Sequence, residues 1–539
     1  MLDKAPAVPL GGWTGPITPA FGPNEVAALT HRIRDTAFVV VDPATGAHGV
    51  VTQGAAVPAE TPGALRLVGV LPPLYPEWLG DRNFTQTHGV RFPYVAGEMA
   101  NGIATTTMVI EMARHGYLGF FGAAGLDAGR VGAAIDELHA ALGRESTAWG
   151  SNLIHSPNEP ALEEAVAELY LTRGVRKVSA SAYMSLTPAI VRYAYTGVRA
   201  DPSGTIHRPN MVFAKVSRPE VARQFLEPAP AAMLAGLVDA GRLTADEARL
   251  AAGLPVAEDI TVESDSGGHT DNRPLAPLFA AIAAVRDEVV AARGYRRPVR
   301  LGAAGGIGTP QAVAAAFALG ASYVLTGSVN QACVEAGIAA DAKAMLAAAD
   351  IADVTMAPAA DMFELGVSLQ VLRRGTMFAS RARKLSALYR AHPSLEAIAP
   401  AELAALEKQI LGQSVADCWT QTRAFWLERD PEQVSRAEAD PRHRMALVFR
   451  SYLGLSSRWS IEGRAERRLD YQIWCGPAMG AFNAWTAGSF LAEPGNRTVS
   501  QVAHNLMEGA AVLTRAQQLR TFGVAVPPEA FTYRPRLLR

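Results

Sequence analysis

The chain has 539 residues, 49% of them hydrophobic, with 50 Lys and Arg against 51 Asp and Glu. Such a length buries a large core and suggests two or three domains, and the balanced charge argues against nucleic-acid binding as a global property. No apolar run reaches the roughly eighteen residues of a membrane span, the opening Met-Leu-Asp-Lys-Ala-Pro lacks a basic segment followed by an apolar one, and Cys333, Cys418 and Cys475 are too scattered for a zinc or disulfide framework. The expectation is a soluble protein of a reducing cytoplasm.

Residues 1–80 are rich in Pro and Gly and hold one clear strand, Ala37 to Val41, closed by Asp42-Pro43 and followed by Gly49 to Val51. They predict a small appended β or mixed unit. From Phe92 onward apolar strands alternate with helical runs, an α/β pattern. Strand one is Phe92 to Ala96, followed by the loop Gly97 to Gly102 and a helix from Thr105 to His115. Strands two to five are Gly119 to Gly122, Trp149 to Ile154, Lys177 to Ser181 and Met211 to Val216. Asn152, Ser179 and Lys215 each stand toward the C-terminal end of a strand, the end that faces the active site in a barrel. Residues 228–255 predict a helical hairpin, Ala231 to Asp239 and Thr244 to Ala252, with Thr244 and Glu247 as a capping box. Extra packing and a part in shaping the site both stay open for it.

Three strands then run into glycine. Asp259 to Glu263 leads to Gly267-Gly268-His269, Val299 to Ala303 leads to Gly305-Gly306, and Ser322 to Thr326 leads to Gly327-Ser328. After the second, Thr309 and Pro310 read as N-cap and first helical position, so a phosphate there meets free N–H groups and the favourable end of a helix dipole. The series describes the last turns of a (β/α)8 TIM barrel of residues 81–339, whose phosphate sites form after strands seven and eight. A dinucleotide fold is disfavoured, because GxGxxG is absent and no acidic residue follows at the ribose interval. Residues 340–539 predict a mainly helical capping domain, with helices at Leu403 to Leu411, Val415 to Trp426 and Ser500 to Phe522. Trp419, Trp426, Trp459, Trp474 and Trp485 are expected in its core rather than on a substrate wall. Leu372 to Arg390 carries six cations and no acid, which either steer an anionic partner or pair internally.

The Gly-Gly-His, Ala-Gly-Gly-Ile and Thr-Gly-Ser series resembles FMN-dependent barrels that include nitronate monooxygenases and flavin-type enoyl-acyl-carrier-protein reductases. It is most similar to the PfaD family, the trans-acting enoyl reductases of polyunsaturated fatty acid and trans-acyltransferase polyketide synthases. The resemblance covers residues 81–335 and, more loosely, the helical remainder, and the 228–255 hairpin resembles an insertion of that family. It implies FMN, with its phosphate on Gly305, Gly306, Gly327 and Ser328 and its ring against the first loop, Gly97, Met99, Ala100 and Asn101. Glu98 departs from the small residue of the family pattern. Asn152, Ser179, Lys215, Asp265, Gly267 and Gly268 complete the implied flavin surroundings.

The implied reaction uses NAD(P)H, NADPH favoured, to reduce an α,β-unsaturated acyl thioester borne by an acyl carrier protein. No nucleic-acid or membrane partner is implied, and a homodimer is allowed. His269 is the expected acid, since imidazole titrates near neutrality and ends a glycine loop. Lys215 polarises the thioester carbonyl or contacts flavin N1–O2, and Asp265 reacts or orients its loop. Arg381, Arg383 and Lys384 are the expected carrier-docking cations. Two alternatives stand beside this: a nitronate monooxygenase with His269 as base, and a non-catalytic, flavin-stabilised docking protein.

Overall fold

The computed structural model describes residues 10–157 and 159–538. The opening hexapeptide, read above for a leader, lies outside the described residues. Strands β1 (Gly11–Thr14), β2 (Ala37–Val41), β3 (His48–Val51), β4 (Ala55–Val57) and β5 (Leu65–Leu71) make an antiparallel sheet in the order β3-β2-β5-β1-β4. Successive side chains of a strand point to opposite faces, so Val39 and Val41 pack on Leu519 and Val524 of the C-terminal region while Val40 joins Trp13, Val51 and Leu67 on the other side.

The barrel strands are β6 (Tyr94–Ala96), β7 (Leu118–Phe121), β8 (Trp149–Ile154) and β9 (Lys177–Ser181), then, after the short ribbon β10 (Arg199–Ala200) and β11 (Ile206–His207), β12 (Met211–Val216) and β13 (Asp259–Glu263). The two-residue β14 (Gly268–His269) precedes the last pair, β15 (Arg300–Ala304) and β16 (Tyr323–Thr326). The eight barrel strands close into one parallel ring, with Leu325 of β16 paired to Val95 of β6 and Ala180 of β9 to Ala214 of β12. Buried on both sides, they are near-continuous apolar runs, which made them visible in the sequence.

A helix, Arg82–His88, plugs the N-terminal end of the ring. Asp81 caps it by accepting from Asn83 N, and Phe84, fully buried, stacks on Tyr323 with ring centres 4.5 Å apart. Beneath the plug Arg300 donates from Nε and Nη2 to the two oxygens of Asp259, 2.7 Å each, and His88 Nε2 lies 3.2 Å from the same carboxylate. That end is closed, and the C-terminal strand ends form the open one.

The helical hairpin appears as Ala231–Asp239 and Ala245–Ala251, with the capping box formed: Glu247 N donates to Thr244 Oγ1 (3.2 Å) and Thr244 N to Glu247 Oε2 (2.7 Å). It packs over the helix Pro188–Tyr195, away from the open end.

Residues beyond 340 are not simply helical. A hairpin of β17 (Val354–Pro358) and β18 (Ser368–Leu372) takes β14 as a third strand, pairing His269 with Leu369 and Gly268 with Gln370. It shares a second hydrophobic core with the helices Phe378–Ala391 and Pro441–Glu462. The long helix Val499–Thr521 returns to the barrel and lies so close to the helix Pro310–Ala318 that a Cβ on Gly509 would fall 2.6 Å from Pro310 Cγ. Among the described residues no helix is long and apolar enough to cross a membrane.

Candidate active site

A cavity of about 1750 Å³ sits on the C-terminal ends of the barrel strands. Its roof is the tip of the β17–β18 hairpin, the helices Val415–Arg429 and Pro441–Glu462, and the segment around Trp474 to Ala478.

On one side of the floor the chain leaves β15 through Gly305 (φ 82°) and Gly306 (φ 68°), a left-handed pair that glycine adopts without steric cost. Gly305 lies against the backbone of Ser264, where a Cβ would meet the carbonyl carbon at 2.7 Å; at Gly306 and Gly327 a Cβ would meet nothing within 4 Å. Gly306 shortly precedes the helix Pro310–Ala318, which Thr309 caps by accepting from Ala312 N, and Gly327 is the N-cap residue of the short helix Ser328–Gln331. Ser328 Oγ is engaged by the roof, accepting from Gly476 N at 3.0 Å, and keeps its own O–H to donate beside the backbone N–H groups of the cradle. Gly476 thereby joins the cradle from the C-terminal region.

Lys215, from β12, is clasped between carboxylates: Nζ lies 2.9 Å from Glu98 Oε1 and 3.3 Å from Glu263 Oε1. Burial opposes its charge, but the two carboxylates outweigh it and hold the ammonium pKa above its ordinary value. Glu263 is pushed up, chiefly by burial and with help from Glu98 against the pull of Lys215. Glu98 Oε2 is buried with no hydrogen-bond partner among the described residues. Two carboxylates and one ammonium leave the floor with an unmatched acceptor, which is costly unless a donor arrives.

His269 lies on the wall beneath the hairpin tip, its Nε2 3.2 Å from Asp361 Oδ1. Burial pulls its pKa down, but the hydrogen bond and charge of Asp361, with Glu263 behind them, outweigh that and hold it above 6.5. Asp265 accepts from Gln370 Nε2 (2.7 Å) and Asn272 Nδ2 (3.0 Å), while Gln370 also donates to Ser266 O (2.8 Å). The carboxylate thereby bolts its loop to β18 while still lining the cavity. Gly267 is required by the roof, since a Cβ there would stand 2.8 Å from Cys475 N.

Of the first loop, Glu98, Met99, Ala100 and Asn101 line the cavity, and Asn101 is left-handed with φ 58°. Gly97 does not line it; it sits beneath Leu325, where a Cβ would reach Cδ2 at 2.5 Å. Asn152 lines the wall and donates from Nδ2 to Ser179 O and Ser181 Oγ. Ser179 itself is buried below the cavity, and Ser181, two residues on along the same face of β9, takes its expected place.

One expectation is corrected. Trp426, Trp459 and Trp474 line the cavity, so three of the five tryptophans expected in a core turn a face to it. No residue of 228–255 reaches the cavity, which leaves the hairpin a packing element. Of the expected docking cations none lines the cavity: Arg381 pairs with Asp470, Lys384 at the surface with Glu402, and the exposed Arg383 donates from Nη1 to Met356 O (2.9 Å) and Thr355 Oγ1 (3.2 Å). The sequence reading missed Asp361, Gln370, Gly476 and a histidine at the end of β8, His155, which stood at a strand end where barrel sites are built.

Barrel and site together define a (β/α)8 enzyme with a glycine-lined cradle after its seventh and eighth strands, roofed by a helical domain. Residues 392–471 match the family model described as [acyl-carrier-protein] S-malonyltransferase, inserted helical domain, and residues 269–339 the one described as a conserved region in glutamate synthase. The chain is 44% identical over 467 residues to one of the polyunsaturated fatty acid synthase proteins of Thraustochytrium sp., a match covering 85% of this chain and 31% of that one. It is 42% identical over 437 residues to the polyketide biosynthesis protein PksE of Bacillus subtilis, covering 81% and 56%. The curated relatives it matches are thus longer, and the chain spans between 23% and 56% of each. The crystal structure of the enoyl reductase domain of MlnA, from the macrolactin cluster of Bacillus amyloliquefaciens, aligns with a TM-score of 0.79 at 34% identity, covering 83% of this chain and 99% of that one. The chain belongs to the PfaD-type family of enoyl reductases from polyunsaturated fatty acid and polyketide synthases.

Proposed function

We propose that the protein is an FMN-dependent enoyl reductase that consumes NAD(P)H, with NADPH favoured, and acts in trans on α,β-unsaturated acyl thioesters borne by an acyl carrier protein. One observation carries the reading: a glycine cradle, a fixed ammonium and an imidazole paired to a carboxylate all open into one cavity. Its volume exceeds the roughly 300–1,000 Å³ of a single-ligand pocket, which leaves room for a cofactor and an acyl-thioester arm together.

The residues fit FMN. The open positions at Gly306 and Gly327 suit a phosphate, and Lys215 with the orphaned Glu98 oxygen offers a donor beside an acceptor, the complement of the carbonyl and N3–H of a flavin's pyrimidine edge. When bound, FMN supplies the hydride chemistry. Lys215 places a permanent positive charge on the floor, His269 holds a proton for the substrate α-carbon, and Asp361 keeps that imidazole charged and oriented. The tryptophans of the roof exclude water from the acyl chain.

Absorption and heat release identify the flavin in the purified protein. NADPH oxidation driven by a crotonyl thioester supports the reductase. Oxygen uptake with a nitroalkane instead makes the protein a nitronate monooxygenase, and bound flavin with neither activity makes it a docking protein.

A further inference from the structure

Three strands around the ring from β13, which leads to His269, a second histidine is built into the wall. His155 directly follows β8, and its ring stacks on Tyr183 with centroids 5.2 Å apart and 24° between planes. Its Nδ1 lies 3.1 Å from Glu163 Oε2, and both residues line the cavity. Glu163 comes from the helix Pro160–Arg173, and its side chain is 3% exposed. Tyr183 OH donates to its Oε1 at 3.0 Å, Thr187 Oγ1 to the same oxygen, and Ser156 N to Oε2 at 3.3 Å. Burial raises the Glu163 pKa, but the hydrogen bonds from His155, Thr187 and Tyr183 outweigh it and hold it below its ordinary value. An ionised carboxylate only accepts, so a singly protonated His155 carries its proton on Nδ1. Nε2 then keeps its lone pair, and it has no hydrogen-bond partner among the described residues. Ala182, just before Tyr183 and also lining the cavity, is left-handed at φ 62°, a costly conformation for a residue with a Cβ. The turn that carries the stacking ring is therefore held under strain, as walls built for a ligand often are.

We propose that His155 is a substrate-binding residue whose Nε2 accepts a hydrogen bond from a carboxamide N–H, with Glu163 as the positioning residue that fixes its tautomer. This role rests on the reductase reading, whose two substrates both carry such a group: the carboxamide of the nicotinamide and the amides of a carrier's phosphopantetheine arm. The enoyl group itself has no N–H to donate, and in that reading the flavin N3–H is answered by Glu98. An amide N–H drawn out of water is costly unless it meets an acceptor. An imidazole nitrogen already fixed by a buried carboxylate supplies one without further ordering. The same lone pair repels a ligand oxygen, so the wall selects the N–H side of an amide. No proton is transferred at His155.

Stopped flow on His155→Asn tests this, because the asparagine Nδ2 stands where Nδ1 stood and still donates to Glu163 while the acceptor is gone. Paired substrates locate the donor. In the oxidative half-reaction crotonyl N-acetylcysteamine carries an amide and an alkyl crotonyl thioester of equal length does not. In the reductive half-reaction NADPH carries one and its reduced acetylpyridine analogue does not. The variant should lose about three- to tenfold in affinity for an amide-bearing substrate, the worth of one neutral hydrogen bond, and nothing for its amide-free counterpart. A loss confined to the N-acetylcysteamine thioester assigns the donor to the arm, and one confined to NADPH assigns it to the nicotinamide. His155→Gln, whose side-chain oxygen reaches the Nε2 position, should recover part of the loss. Glu163→Gln can donate to Nδ1 and so turn the proton to Nε2; it should raise the same half-saturation concentration while the limiting rate stays near wild type. Flavin content and thermal midpoint of His155→Asn should match wild type. Unchanged affinities, equal losses with and without the amide, or a loss of flavin would each overturn the role. If wild type itself fails to reduce the thioester, the reductase reading falls and takes this role with it.

Discussion

At the N-terminal end of the barrel Arg300 meets both oxygens of Asp259 at 2.7 Å, with His88 at 3.2 Å and the helix Arg82–His88 sealing the space. At the C-terminal end Lys215 is held just as firmly by Glu98 and Glu263, yet a Glu98 oxygen is left without a partner and the imidazoles of His155 and His269 lie on a cavity wall. Both ends bury several charges in one parallel ring. In the first, burial pushes the Asp259 carboxyl up, but His88 and Arg300 outweigh it and hold it well below the usual range, so both carboxylate oxygens are answered within the fold while His88 Nδ1 stays buried without a hydrogen-bond partner among the described residues. In the second, each charge is fixed by a neighbour on one side and left open on the other. Completed charge networks specify the structure, and incomplete ones mark where a ligand must finish them.

The comparison is broken most forcefully at the open end. His269→Ala should slow reoxidation by an enoyl thioester about 10²–10⁴-fold, the range for loss of a general acid, while thermal stability and flavin reduction stay near wild type. Stopped flow separates the two. At the closed end the outcome should invert: Asp259→Ala leaves Arg300 buried without its partner and should cost about 3–5 kcal/mol of stability, read as a lower thermal or urea midpoint, with activity per folded molecule unchanged. Gly306→Asp should sharpen the contrast with a smaller effect. It adds a carboxylate at the open cradle position and should weaken FMN binding about tenfold or more, roughly 1.4 kcal/mol per decade, measured by fluorescence titration of the flavin. Full affinity in that variant would move the phosphate elsewhere.

How legible each end was follows from the range of its contacts. The eight strands stood out because burial on both faces makes each an apolar run, and the three that end in glycine placed the cradle. The β17–β18 hairpin did not, since β17 is only half-buried, ends in Pro358, and finds its third partner in a two-residue strand far upstream. The same distance hid the surroundings of the basic run: Arg381 meets Asp470, 89 residues away, and Arg374 and Lys384 likewise find Asp353 and Glu402 outside a stretch that holds no acid of its own. Tryptophans of the roof carry no local sign that one face meets a cavity. Glu98, by contrast, was already conspicuous as a carboxylate in a loop of small residues, and the structure shows it answering Lys215.

The finest test lies at Asp361, whose carboxylate on the hairpin tip holds the pKa of His269 above its ordinary value against the pull of burial. Because the folded-state pKa of His269 is raised above 6.5, the imidazolium, and the stability its pairing contributes, are fully present below that ordinary value and are lost as pH rises through the raised one. A proton-donating His269 therefore predicts an oxidative half-reaction that is flat at low pH and falls on the alkaline side. Asp361→Asn removes the charge but keeps a side chain of the same shape that can still accept a hydrogen bond. It should shift the falling limb to lower pH, leave the acid plateau within a few-fold of wild type, and spare flavin reduction, since fewer His269 rings are protonated near neutrality while each protonated one still reacts. A limb that stays in place would mean that the titrating group is not His269.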